Sequence, residues 1–192
     1  MPQITVGTHC YAVADTAADT LMTSGLGNCV GVVGFDPTTK KAALVHLDTV
    51  NCAKIRHGAT VIDTKALKTV KELLEDVADA KEFRVVLGTM WGTTLWAKGE
   101  KYVSSDIKSI FNHAPIGIAS AMTFRWNGDV GEVTASSIGA ASTGGIKLSI
   151  GKLATTPDSK EKFVDPDGND DNDSTWFDFN SEAAKAALSK AP

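Results

Sequence analysis

A cysteine on a glycine-rich turn and a histidine one hairpin further on are the residues of this chain best equipped for chemistry. Cys29 closes the run Thr23-Ser24-Gly25-Leu26-Gly27-Asn28-Cys29, and His46 follows seventeen residues later within Ala43-Leu44-Val45-His46-Leu47. A thiol attacks an amide carbonyl only as its thiolate, and a free pKa of about 8.5 leaves little of it ionised near neutrality. A neighbouring base is therefore required. An imidazole fits that need, because it can take the thiol proton and later return it to a leaving amine. The backbone N–H groups of Gly27, Asn28 and Cys29 are suited to hold the oxyanion that attack creates. The same residues also fit a plainer reading, with Cys29 a small buried apolar residue at a strand start and His46 a satisfied core histidine. Spacing alone leaves both open.

The elements that must position this pair are legible on either side of it. Cys29 to Asp36 alternates β-branched residues with glycine and stops at Asp36-Pro37, which predicts a buried strand. Asp36 to Lys41 has turn chemistry, and Ala42 to Leu47 is apolar enough to return as the second strand of a hairpin. Such a hairpin carries His46 back toward the strand end that bears Cys29. Asp63 or Thr64 is placed to cap a helix running to about Ala80, with Leu67, Val70, Leu74 and Val77 on one face. Phe83 to Gly88 reads as a strand, and Gly88-Thr89-Met90-Trp91-Gly92 as a turn able to approach a ligand closely. Ser104 or Ser105 is expected to open a short helix, Pro115 to Ile118 is an apolar segment, and Val130 to Ser136 and Ile146 to Ile150 are further strands. Strands outnumber helices. The expected class is α+β, with mixed sheets forming a β-sandwich-like core flanked by helices.

Composition narrows the function classes. The 192 residues are 43% hydrophobic and 22% charged, which is ordinary for a globular protein with a sizeable core. No apolar run approaches the roughly 20 residues of a membrane-spanning helix, and the start lacks the pattern of a secretory signal. A cytoplasmic location is expected, with release by a signal-less route as the alternative. A net charge of −4 without a basic, aromatic-interleaved run disfavours nucleic acid as a partner. Cys10, Cys29 and Cys52 are odd in number and lack paired spacing, so neither a disulfide framework nor a structural metal is expected. Residues 1–150 are expected to form the working domain and 151–192 an acidic extension. Oligomeric state is not readable.

Several separations together are more specific than either residue alone. The runs Ile4-Thr5-Val6-Gly7, Thr20 to Val32, Asp36-Pro37 and Leu44-Val45-His46 resemble the N-terminal half of the chemoreceptor glutamine deamidase (CheD) family. That family carries a T-x-G-L-G-S-C-V-x-V segment, a D-P turn and a G-x-A-H strand, and the resemblance includes a threonine six residues before the cysteine. It extends to about residue 136. What it implies is a Cys-His-Thr site that hydrolyses a protein glutamine side-chain amide to glutamate and ammonia without a cofactor. Cys29 would be the nucleophile, His46 the base and then acid, and Thr23 the residue orienting the imidazole. Cytotoxic necrotizing factor toxins share the broad fold and the Cys-His pair, so a chemotaxis regulator and an effector toxin are both implied roles. The chain departs from the family in Asn28, which replaces the usual serine, in the turn bearing Trp91 with Trp96 beyond it, and in the acidic extension. Trp91 and Trp96 read as a possible rebuilt substrate surface.

Two other readings stay in view. An N-terminal asparagine amidohydrolase has a similar threonine–cysteine spacing followed by a histidine strand, and Val45 to Thr49 is comparable to it. A non-catalytic module docking on a partner protein is the other. Asp165 to Asp173 has oxygen-rich alternation but not the order of a calcium loop, and reads as a solvated acidic segment. His9-Cys10 points to opposite faces if extended, while Cys52, His57 and His113 read as structural residues.

Overall fold

In the computed structural model the residues described are 3–49, 52–94, 96–137 and 144–148. The acidic extension and the oxygen-rich segment within it lie outside them. Five strands come first: β1 (Gln3–Val6), β2 (Cys10–Ala14), β3 (Thr20–Ser24), β4 (Val30–Asp36) and β5 (Lys41–Leu47). A small hairpin, β6 (Ala53–Arg56) and β7 (Ala59–Ile62), leads into helix α1 (Thr64–Ala78). Then come β8 (Glu82–Leu87), a 3-10 turn at Thr89–Gly92, helix α2 (Ala97–Phe111), β9 (Gly117–Ile118), β10 (Ala121–Asn127), β11 (Val130–Ser136) and β12 (Ile146–Lys147).

Among the described residues these form two large sheets, the small β6–β7 hairpin and a helical layer. A six-stranded sheet runs β12-β2-β5-β4-β8-β9, and a four-stranded sheet runs β1-β3-β10-β11. The chain is α+β, as its strand-rich pattern predicts. Strand alternation sorts the side chains of the larger sheet between its two faces. Val30, Val32, Val45, Leu47, Val85 and Leu87 pack toward the helices with Leu67, Val70, Leu74, Val103 and Ile107. The opposite face, with Cys29, Val33, Phe35, Ala42, Leu44 and Val86, packs with Leu21, Met122 and Phe124 of the smaller sheet. Nearly all of β4 and β5 is buried because both faces are covered.

The central hairpin has the predicted form. Val30 pairs with Leu47 and Gly31 with His46, down to Asp36 with Lys41. Helix α1 starts at the predicted cap: Asp63 Oδ1 accepts from the Lys65 N–H at 2.9 Å, and Leu67, Val70 and Leu74 are its buried stripe. Helix α2 departs from expectation. It opens at Ala97, after the buried Trp96, and Ser104 lies inside it, where its hydroxyl donates to Glu100 Oε1 at 2.6 Å instead of capping an end. Pro115 to Ile118 supplies β9, which pairs in parallel with β8.

Candidate active site

The site residues converge because the two sheets face one another across them. Parity along β5 puts His46 on the same face as Leu44, toward the smaller sheet, and parity along β3 puts Thr23 with Leu21 on the facing side. His46 Nδ1 and Thr23 Oγ1 meet at 2.6 Å. The Thr23 hydroxyl also donates to the Val6 carbonyl at 2.8 Å. A carbonyl accepts only, so the one hydroxyl proton goes to Val6, and Oγ1 must accept from His46 Nδ1–H. That assigns the Nδ1–H tautomer and leaves Nε2 with its lone pair. Among the described residues, buried Nε2 has no hydrogen-bond partner.

Cys29 lies just before β4, diagonal to His46 across Gly31. A Cβ at Gly31 would come within 2.8 Å of Met122 Sδ, between the sheets, so a larger residue here requires that methionine to shift. The Cys29 sulfur lies 4.0 Å from both Asn28 Oδ1 and Asp48 Oδ1. It makes no hydrogen bond to His46 Nε2 in this arrangement. Burial, then the nearby Asp48 carboxylate, push the Cys29 thiol up to about 12, while a hydrogen bond from the Thr49 N–H acts the other way. Burial lowers the His46 imidazole to about 4, with the Asp48 charge opposing and His9 assisting. The resting pair is thus thiol and neutral imidazole, a base with its lone pair available, not a preformed ion pair.

Most of the bonds that hold the cysteine turn are accepted by its carbonyls. Thr89 N–H donates to Leu26 O at 2.8 Å, Met90 N–H to Gly27 O at 3.1 Å, and Gly88 N–H to Cys29 O at 2.9 Å. Asn28 O accepts from Trp91 Nε1 at 2.9 Å and from Thr49 Oγ1 at 2.6 Å. Gly88 is needed for so close an approach, since a Cβ would stand 2.6 Å from Cys29 O and nearer still to Leu26 O. The glycine-rich turn at 88–92 therefore contacts the cysteine turn, not a ligand. Gly27 N–H is spent on Gly25 O at 3.0 Å, which narrows the candidate oxyanion donors to the amides of Asn28 and Cys29.

Trp91 and Trp96 do not form a substrate surface. They are 0% and 1% exposed and pack edge to face at 4.8 Å in the helix-side core. Their bulk fills the layer behind the cysteine turn. Asn28 is likewise inward-looking: its Nδ2 donates to Asp48 Oδ1 at 3.2 Å and to Thr49 Oγ1 at 3.1 Å, tying the turn to the end of β5.

Asp48 and Thr49 are the site residues that sequence reasoning missed. A usable signal existed, because a residue two positions after His46 shares its face of an extended chain. Cys10, Cys29 and Cys52 are free thiols. Cys52 is buried, with its sulfur 3.8 Å from Asp48 O. His57 sits at the β6–β7 turn near the Tyr102 ring, and His113 follows α2, with its Nδ1 2.6 Å from Ala114 O. Among the described residues no cluster of ligating side chains could hold a metal ion, and no helix is long and apolar enough to cross a membrane.

These features define a two-sheet α+β protein with a buried thiol and a threonine-anchored imidazole between the sheets. The chain is similar to a probable chemoreceptor glutamine deamidase CheD of Caldanaerobacter subterraneus subsp. tengcongensis, with 32% identity over 93 residues. That alignment covers 47% of this chain and 54% of the relative, so the chain spans about half the length of the curated protein it matches. No protein-family model matches the chain.

Proposed function

We propose that this protein is a protein-glutamine deamidase of the CheD type, with Cys29 as nucleophile, His46 as general base and acid, and Thr23 as the residue that orients the imidazole. The observation that carries the reading is the Val6 O···Thr23 Oγ1···His46 Nδ1 chain, which fixes the tautomer whose Nε2 can accept the thiol proton.

In the first step Nε2 takes the Cys29 proton as sulfur attacks the amide carbon, and the oxyanion is held by the Asn28 and Cys29 amides. The imidazolium then protonates the departing nitrogen, releasing ammonia and leaving a thioester. A water, deprotonated by the same Nε2, attacks the thioester, and collapse returns the proton to sulfur and frees glutamate. No cofactor enters this balance. Because the resting thiol is pushed up to about 12, the thiolate forms only as the proton is handed over during attack.

The relative's name makes a chemoreceptor cytoplasmic fragment the first substrate to test, which accords with a cytoplasmic, signalling role. Residues 1–150 would carry the activity, with 151–192 an accessory extension. Ammonia release with the mass gain of amide-to-acid conversion on that fragment is expected, and full activity in Cys29→Ser would sink the mechanism. One observation favours a second reading. The Asp48 carboxylate, 4.0 Å from the sulfur, could accept the α-ammonium of an N-terminal asparagine. Peptides with free N-terminal Asn, assayed beside proteins with internal Gln, separate the two. Absence of both activities, with His46-independent labelling of Cys29, would favour a binding module.

A further inference from the structure

We propose that Asp48 is a specificity-determining residue, a carboxylate at the mouth of the thiol site that admits neutral or cationic groups and turns away anionic ones, including the acid that the reaction makes. The inference rests on the deamidase reading and adds a selection rule to it. Asp48 Oδ1 lies 4.0 Å from Cys29 Sγ, and Asn28 Nδ2 holds the same oxygen at 3.2 Å, so the carboxylate is fixed beside the reacting atom. Asp48 is half-buried where Cys29 and His46 are buried, so its carboxylate lies nearer the solvent than either.

A glutamine side chain brings a neutral amide with two N–H donors, and a carboxylate accepts from them. The product has the same shape with a negative charge in place of the amide nitrogen. Two like charges within several Å at a partly buried site repel strongly enough to matter. The carboxylate would thus bind substrate, disfavour product and help to expel it. Asp48 also opposes the thiolate, adding to the effect of burial in keeping the resting group a thiol.

The test needs no knowledge of the natural substrate. Iodoacetamide and iodoacetate differ as glutamine and glutamate do, and both alkylate sulfur by the same step: the S–C bond forms, iodide leaves, and His46 takes the thiol proton. Rates at Cys29 are read by peptide mass spectrometry on the full chain, with Cys10 as internal reference. The expected preference for iodoacetamide over iodoacetate at Cys29 exceeds that at Cys10 on the order of tenfold. Asp48→Asn, which keeps the oxygen that Asn28 holds, should bring the Cys29 ratio down to that of Cys10, and Asp48→Glu should preserve it. Should Asp48→Asn fold poorly, the wild-type ratio should fall as salt shortens the Debye length from about 10 Å at 0.1 M to about 3 Å at 1 M. A Cys29 ratio unchanged by both Asp48→Asn and salt overturns the charge filter and leaves the deamidase standing. Cys29 labelling that is equally fast in His46→Ala overturns the thiol–imidazole reading instead, and the filter with it.

Discussion

Replacing Thr23 by valine isolates the contact on which the site reading depends. Valine nearly matches threonine in volume, so packing between the sheets is kept while Oγ1 is lost. Two hydrogen bonds disappear, the 2.8 Å bond to Val6 O and the 2.6 Å bond from His46 Nδ1. At about 0.5–1.5 kcal/mol net each, plus about 1–3 kcal/mol for a buried Nδ1–H left unpaired, the expected stability loss is about 2–6 kcal/mol. Activity suffers separately. Without Oγ1 the Nδ1–H tautomer loses its acceptor, and a bias of about 1.4–2.8 kcal/mol removed from the reactive state lowers kcat by about 10–100-fold with KM little changed. Urea denaturation gives the first quantity, steady-state deamidation of a chemoreceptor fragment the second, and ¹⁵N shifts of the imidazole report the tautomer. Thr23→Ser keeps the hydroxyl and should recover most of kcat. A Thr23→Val protein with wild-type kcat and an unchanged Nδ1–H tautomer would refute the reasoning.

Other outcomes follow from the same geometry. His46 is lowered from an ordinary 6.5 to about 4, so between those values the unfolded chain binds a proton that the folded protein refuses. Stability should therefore be full above about pH 6.5 and fall by up to ~3 kcal/mol as pH drops toward 4, a slope that His46→Asn should flatten in urea titrations across that range. Gly88→Ala would drive a Cβ into the carbonyls of the cysteine turn; a loss of more than ~2 kcal/mol in urea denaturation, with activity lost, is expected. Trp91→Phe keeps most of the ring packing but removes the 2.9 Å bond to Asn28 O, so ~1 kcal/mol of stability and a measurable part of kcat should go together in the same assays.

Local signals in the sequence carried far, and contacts between distant segments did not. Helix α1 was legible because its cap and its apolar stripe are both written within one stretch, Asp63 to Ala78. The β4–β5 hairpin was legible for the same reason, and its register carries His46 to Gly31, next to the cysteine turn. The start of α2 is not legible because Ser104 resembles a cap, while the helix begins at Ala97, after the buried Trp96, without any side-chain cap. Thr23 entered only through a family resemblance, since its bond to His46 crosses from one sheet to the other and no periodicity reports that. The burial of Trp91 and Trp96 is hidden from the sequence for a related reason. A Gly-rich turn shows that backbone comes close to something, but only the fold reveals that the something is the carbonyl row of residues 26–29. Asp48 is not distinguished by local pattern alone, because its partners Asn28 and Cys29 lie about twenty residues away in the sequence.

The central claim is that Cys29 carries the acyl group during amide hydrolysis. Hydroxylamine added during turnover of a glutamine-bearing chemoreceptor fragment tests it most directly, because it intercepts a thioester as a hydroxamate at the modified glutamine. The account predicts that hydroxamate forms at that glutamine with the wild-type protein and that neither hydroxamate nor glutamate forms with Cys29→Ala. Glutamate formation that survives Cys29→Ala, with no hydroxamate from either protein, would contradict it.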